Sequence, residues 1–206
     1  ATEVMNFFCN SYPNLPSYVF GHSMGAFVSL SVLKDFKNLE GVVLTGTFLP
    51  NKLELSLLKL IFLIERFIFR INKNSKLHTI IFKRLNSSFN NPRTQFDWLS
   101  NDISNIDKYL LDRDCGFNCS NSLWLDFING SKQILSDKNY VGIEKDVKFL
   151  LACGEEDPVI KNGNGVIELK SFLEKRFNKI SFIEYENMRH EIQNEKCAEE
   201  FFSHIV

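Results

Sequence analysis

The chain has 206 residues, 44% of them hydrophobic and 24% charged, enough apolar material for one domain with its own core. Lys and Arg number 24 against 25 Asp and Glu, a net charge of −1, which excludes a polybasic nucleic-acid binder or an acidic tail as the main theme. Five Pro, ten Gly and 20 Phe exclude collagen-like or low-complexity material and point to a bulky aromatic core or an exposed apolar surface, not to disorder.

Residues 1–16 read as a helix leading into Tyr18-Val19-Phe20, a short apolar run that ends at Gly21 and reads as a buried strand. From Met24 to Phe36 the periodicity is helical, with Phe27, Leu30, Val32, Leu33 and Phe36 on a broad apolar face. Gly41 to Gly46 is a second strand, β-branched and bounded by glycines. Residues 50–137 change to helices separated by polar loops rich in Asn and Ser. A third strand runs from Lys148 to Gly154, an amphipathic helix from Val166 to Phe177, a fourth strand from Ile180 to Tyr185 and a closing helix from Cys197 to Ile205. Strands alternating with helices imply a parallel sheet. The fold class is therefore α/β, with residues 1–49 and 138–206 forming the core and residues 50–137 inserted between two strands.

The most apolar stretch, Leu53 to Ile71, is interrupted by Glu54, Lys59, Glu65, Arg66 and Arg70, too many charges for a membrane span. Within it Leu57, Leu58, Leu60, Ile61, Phe62, Ile64, Phe67 and Phe69 surround the helix instead of forming one stripe, so most are expected to form the insertion's own core. Contact with lipid through this segment is the sharper alternative. No signal-peptide pattern is visible at the N-terminus. Five cysteines (Cys9, Cys115, Cys119, Cys153 and Cys197) in an odd count without paired spacing read as reduced thiols of a cytoplasmic protein. Cys115 and Cys119 lack a second Cys or His pair to complete a zinc site.

The sharpest chemical signal is Gly21-His22-Ser23-Met24-Gly25. A strand that turns directly into a helix forces the pivot residue into a strained conformation, and the flanking glycines are expected because a Cβ would clash across the turn. A serine at that pivot sits at a helix N-terminus, where free N–H groups, that of Met24 first, suit an oxyanion. Its hydroxyl needs a base, and the base needs an orienting acid. Of four histidines, His22 adjoins Ser23 but projects to another side, His78 lies in the insertion and His204 on the last helix reads as a surface group. His190 follows the fourth strand at its carboxyl end, where sites of parallel sheets gather; the alternative there is a surface histidine beside Glu191. Gly154-Glu155-Glu156-Asp157-Pro158 trails the third strand, and Asp157 is preferred over Glu155 and Glu156 because it sits deepest in the turn, before Pro158. The order Ser23, Asp157, His190 is that of nucleophile, acid and base in α/β hydrolases.

The chain resembles the monoacylglycerol lipase and lysophospholipase branch of the α/β hydrolases, in Gly-His-Ser-Met-Gly at 21–25, Gly-Glu-Glu-Asp-Pro-Val at 154–159 and Arg-His-Glu-Ile-Gln-Asn-Glu at 189–195. The insertion, from Asp107-Lys108-Tyr109 through Asp114-Cys115-Gly116-Phe117, resembles that family's cap. The resemblance implies hydrolysis of carboxylic esters such as monoacylglycerols or lysophospholipids, with no metal or organic cofactor. It also implies further strands before the nucleophile strand and a His-Gly loop carrying a second oxyanion donor, neither of which fits in residues 1–16. The expectation is a partial α/β-hydrolase fold: a parallel half-sheet whose nucleophile strand lies at an edge, completed by an N-terminal half. An impaired hydrolase fragment, an acyltransferase and a peptidase on the same three residues are the alternatives.

Overall fold

The apolar runs pair as a four-stranded parallel sheet in the order β1-β2-β3-β4, comprising β1 (Ser17–His22), β2 (Leu39–Thr45), β3 (Lys148–Gly154) and β4 (Lys179–Tyr185). A computed structural model of the chain describes residues 2–36, 38–69, 75–160 and 163–205, with Phe69 described for its backbone alone. Helix α1 (Thr2–Ser11) precedes the sheet, and α2 (Met24–Val32) joins β1 to β2, its last turn passing into a 3-10 turn at Leu33–Asp35. Between β2 and β3 come α3 (Lys52–Phe69), α4 (Lys76–Asn86), α5 (Ile103–Leu111) and α6 (Asn121–Ile134); α7 (Asn164–Glu174) joins β3 to β4, and α8 (Ala198–Ser203) closes the chain.

Alternation along each strand splits the apolar residues between two faces. Val42, Leu44, Phe149, Leu151 and Cys153 face a core closed by Ala26, Phe27, Leu30 and Leu33 of α2 and its 3-10 turn, and by Val166, Leu169 and Leu173 of α7. The opposite face is thinner, with Ala152, Tyr185, Met188 and Ile192 packed on Phe201 of α8. β1 is an edge strand that pairs with β2 alone among the described residues, and Tyr18 and Phe20 on it are 70% and 51% exposed.

All four inserted helices start where the sequence places a capping side chain, and for α3 it is Asn51, whose Oδ1 accepts from the Leu53 N–H at 2.8 Å and the Glu54 N–H at 3.3 Å. Ser75 accepts from the His78 N–H, Asp102 from the Ser104 N–H and Ser120 from the Leu123 N–H, each satisfying a donor of the first helical turn. α4 gains a second cap from Glu65, which is buried and accepts from Ser75 Oγ at 2.6 Å and from the Lys76 N–H at 2.7 Å.

The expectation that most apolar residues of α3 form a local core is overturned. Phe62 is buried and stacks on Trp124, and Leu55 packs beside it with Leu125 and Ile128 of α6. Leu57, Leu60, Ile61, Ile64 and Phe67 are exposed, Phe67 at 86%. The cause is layering: α4 and α6 cover one side of α3, so only side chains about half a turn apart from the outer row find neighbours. Arg70, Ile71 and the Phe69 side chain lie outside the described residues. No described helix is long and apolar enough to cross a membrane.

Candidate active site

The carboxyl ends of β1, β3 and β4 deliver the three candidate residues to one edge of the sheet. Ser23 is the pivot between β1 and α2, with φ 52° and ψ −120°, a conformation that side-chain-bearing residues adopt only under constraint. Its N–H donates to the carbonyl of Thr45 at 2.9 Å, and its carbonyl accepts from the Ala26 N–H at 3.0 Å. Unlike Ser75 and Ser120, Ser23 makes no capping hydrogen bond with its side chain, so the hydroxyl is not used to hold its own helix. α2 begins at Met24, which makes that residue's N–H one of the donors a helix start leaves unmet by intrahelical bonds.

The two glycines flanking the turn differ. A Cβ on Gly21 would lie 2.6 Å from Ser29 Oγ and 2.8 Å from Ala26 Cα, whereas a Cβ on Gly25 would meet nothing within 4 Å. The expected clash therefore holds for Gly21 and fails for Gly25, which points away from the turn into open space.

Asp157 and His190 meet as a pair, with 2.9 Å between His190 Nδ1 and Asp157 Oδ2, and each residue is 2% exposed. A carboxylate only accepts, so Nδ1 carries the hydrogen and leaves Nε2 as the basic nitrogen. The other carboxylate oxygen of Asp157 accepts from the Val159 N–H at 2.8 Å. Glu155 and Glu156 on the same turn are exposed; Glu156 binds Arg189 and Asn101 instead. The turn closes because β3 ends in Gly154, where a Cβ would fall 2.1 Å from the Met188 carbonyl oxygen and 2.4 Å from that of Arg189. This close approach seats the loop bearing His190 against the loop bearing Asp157.

Ser23 and His190 are linked through the end of β2. Gly46 follows Thr45, the acceptor of the Ser23 N–H, and a Cβ on Gly46 would lie 2.7 Å from His190 Cε1 and 3.1 Å from His22 Cε1. Gly46 also has φ 57°, so the position demands glycine twice over. His22 does not face away idly: its ring lies 4.7 Å from that of His190 and its Nδ1 is 2.8 Å from Thr45 Oγ1. Burial, then the charge of His190, pushes the His22 pKa from 6.5 down to about 3, so it stays neutral at any ordinary pH. On another side Trp98 places its ring 4.9 Å from His190.

The remaining histidines are engaged elsewhere. His78 is buried on α4, stacked on Phe82 with rings 4.1 Å apart, and burial lowers its pKa. His204 is exposed but bonded through Nδ1 to the Tyr185 hydroxyl at 2.9 Å. All five cysteines carry free thiols, and burial pushes the Cys153 thiol far up, which leaves it inert as a nucleophile. Among the described residues no group of three or more His, Cys, Asp or Glu could hold a metal ion. Trp98 and Gly46 border the candidate base although neither falls in a motif; they join the site only because tertiary packing brings the end of β2 and the segment before α5 against the histidine loop.

A parallel sheet with a strained serine at a strand-to-helix turn, and an acid and a histidine on later strand ends, defines an α/β hydrolase. Solved structures agree in fold. A thermostable carboxyl esterase from Bacillus coagulans, in complex with glycerol, matches with a TM-score of 0.76 at 23% identity over 97% of this chain and 67% of its own. The monoacylglycerol lipase of Paleococcus ferrophilus matches with a TM-score of 0.65 at 17% identity over 99% of this chain and 71% of its own. The monoglyceride lipase of Saccharomyces cerevisiae, solved as a soluble variant with a substrate analogue, matches with a TM-score of 0.64 at 14% identity over 98% and 66%. The chain thus spans about two thirds of the length of these structures. No curated protein matches it in sequence. Residues 1–197 match the family described as Serine aminopeptidase, S33, a hydrolase family, and the chain belongs to it.

Proposed function

We propose that the protein is a serine hydrolase that cleaves carboxylic esters of lipid-like substrates, monoacylglycerols or lysophospholipids. The observation that carries this reading is the buried Asp157–His190 pair at the same sheet edge as the strained Ser23. His190 Nε2 takes the proton of Ser23 Oγ as that oxygen attacks the ester carbonyl, while Asp157 holds the imidazole and stabilises its charged form. The Met24 N–H stabilises the tetrahedral oxyanion. Collapse breaks the ester C–O bond, His190 protonates the departing alkoxide, and water repeats the sequence on the acyl-enzyme to release the fatty acid and free Ser23.

Helices α3–α6, residues 50–137 with their loops, act in this proposal as the cap over the acyl pocket, on the core formed by residues 1–49 and 138–206. The outer row of α3 supports peripheral contact with lipid. Leu53, Leu57, Leu60, Ile64 and Phe67 present one exposed apolar stripe, and Lys52, Lys59 and Arg66 recur every seven residues along its flank. Residues 52–84 carry eight basic side chains against Glu54 and Glu65, while the rest of the chain carries 16 basic and 23 acidic ones. That local excess attracts an anionic surface at about 1 kcal/mol per basic side chain close to it. The open edge of β1, with Tyr18 and Phe20 exposed, supports a complementing segment that pairs with it and brings the second oxyanion donor; one such donor is worth about 3 kcal/mol of transition-state stabilisation.

Hydrolysis of a monoacylglycerol and of a lysophospholipid, beside an aminoacyl p-nitroanilide, tests the reading. Release of fatty acid that Ser23→Ala abolishes is the expected result. Cleavage of the anilide in preference to both esters would overturn the ester reading in favour of the peptidase, and an inactive folded chain would favour an impaired hydrolase.

A further inference from the structure

We infer that Glu195 and Arg189 are positioning residues that lock the histidine loop to segment 97–101 of the cap, so that the cap, and not the sheet alone, sets the orientation of His190. The inference rests on the reading of His190 as the base. It gives a physical role to Arg-His-Glu-Ile-Gln-Asn-Glu at 189–195, of which the hydrolytic mechanism uses only the histidine.

Glu195 is 7% exposed and its carboxylate gathers three donors. It accepts from Ser100 Oγ at 2.8 Å, from the Asn101 N–H at 2.9 Å and from the N–H of Arg189 at 2.9 Å. Two of these donors belong to the cap and the third to the residue immediately before His190. On the other side of the histidine, the Glu191 N–H donates to the Leu99 carbonyl at 2.8 Å. The Arg189 guanidinium donates to the Asp97 carbonyl at 2.6 Å, lies 4.0 Å over the Phe89 ring and approaches Glu156 at 3.3 Å. Asn101 completes the seam by donating to the Asn187 carbonyl at 2.7 Å. Both neighbours of His190, Arg189 through its guanidinium and Glu191 through its N–H, are therefore tied to one cap segment about ninety residues away in sequence, and Trp98, within that segment, rests its ring against the imidazole.

A buried carboxylate makes charge-assisted bonds that are short and directional, and a network sharing one anion loses more than a single bond when the anion goes. The consequence for chemistry is positional. General-base catalysis needs Nε2 within hydrogen-bond reach of the serine oxygen, and small misplacements of such a group cost large factors in rate. Any opening of the cap that carried segment 97–101 outward would take the base with it, so substrate entry falls to motions of the cap away from this seam.

Glu195→Gln keeps the side-chain size but turns an amide N–H₂ towards the donors that the carboxylate satisfied. Active sites are counted by fluorophosphonate adduct in intact mass, and p-nitrophenyl butyrate turnover is expressed per counted site. The expected result is kcat per site lowered roughly tenfold or more with KM changed less than about twofold, together with loss or broadening of the downfield Nδ1 proton resonance of His190. Ser100→Ala, which removes a single donor, shows a smaller change of the same kind and serves if the first variant does not fold. A purely structural role would lower the melting midpoint and the number of active sites while leaving kcat per site and the His190 resonance as in the parent, and that result would overturn the inference. If the parent chain forms no adduct, the assignment of Ser23 fails separately; the resonance still decides, because an unchanged Nδ1 signal in Glu195→Gln refutes the lock.

Discussion

Acid should destabilise this protein through His22. The imidazole lies 4.7 Å from the ring of His190 and 2.8 Å from Thr45 Oγ1, and burial together with His190 lowers its pKa from 6.5 to about 3. In the unfolded chain it takes up a proton near pH 6.5; in the folded protein it does not until about pH 3. Between those values the unfolded state binds more protons, so stability falls as pH drops below 6.5 and the loss grows until about pH 3. At about 1.4 kcal/mol per pH unit, acidifying from pH 8 to pH 5 removes about 2 kcal/mol, a large share of a typical stability of about 5–15 kcal/mol. Urea unfolding of the parent and of His22→Asn at both pH values reads this out. Asn still offers Thr45 a polar partner and cannot titrate. His78, also lowered by burial, contributes equally to both proteins and cancels in the difference. The parent is expected to lose about 2 kcal/mol more than the variant on acidification; equal losses would show that His22 is not the group that titrates.

Two further outcomes follow from local geometry. Gly25→Ala fills open space in the first turn of α2 and should raise stability by up to about 1 kcal/mol, the helix-propensity gain, whereas Gly21→Ala drives a Cβ into Ser29 and Ala26 and should cost about 1–3 kcal/mol; equal effects on the urea midpoint would contradict the asymmetry. Glu65→Ala leaves the buried Ser75 hydroxyl and the Lys76 N–H without their acceptor and should cost about 2 kcal/mol, with α4 losing amide protection first; protection unchanged in α4 would show that the carboxylate is not its cap.

The sheet was legible because each strand is an apolar run between turn residues, and all four lie within a few residues of the expected spans. Helix ends were less so: α2 gives way to a 3-10 turn at Leu33 and α8 stops at Ser203, since capping and packing rather than periodicity decide termini. The Asp157–His190 contact was legible too, because strand ends and a Pro158 turn restrict where a carboxylate can be buried. Periodicity counts apolar residues without naming their neighbours, so it could not show that α3 has an inner row at Leu55 and Phe62 and an outer row left exposed. Trp98 meets His190 across ninety-two positions of sequence, a contact that no local pattern encodes. The opposite fates of Gly21 and Gly25 depend on what lies above the turn, and the sequence around both looks alike.

The proposed chemistry stands on Ser23 being an activated nucleophile. Intact mass of the folded chain after exposure to a fluorophosphonate, beside Ser23→Ala, tests it most directly. One adduct on the parent and none on the variant is the expected result. An adduct that survives Ser23→Ala, or a folded parent that takes none, would contradict it.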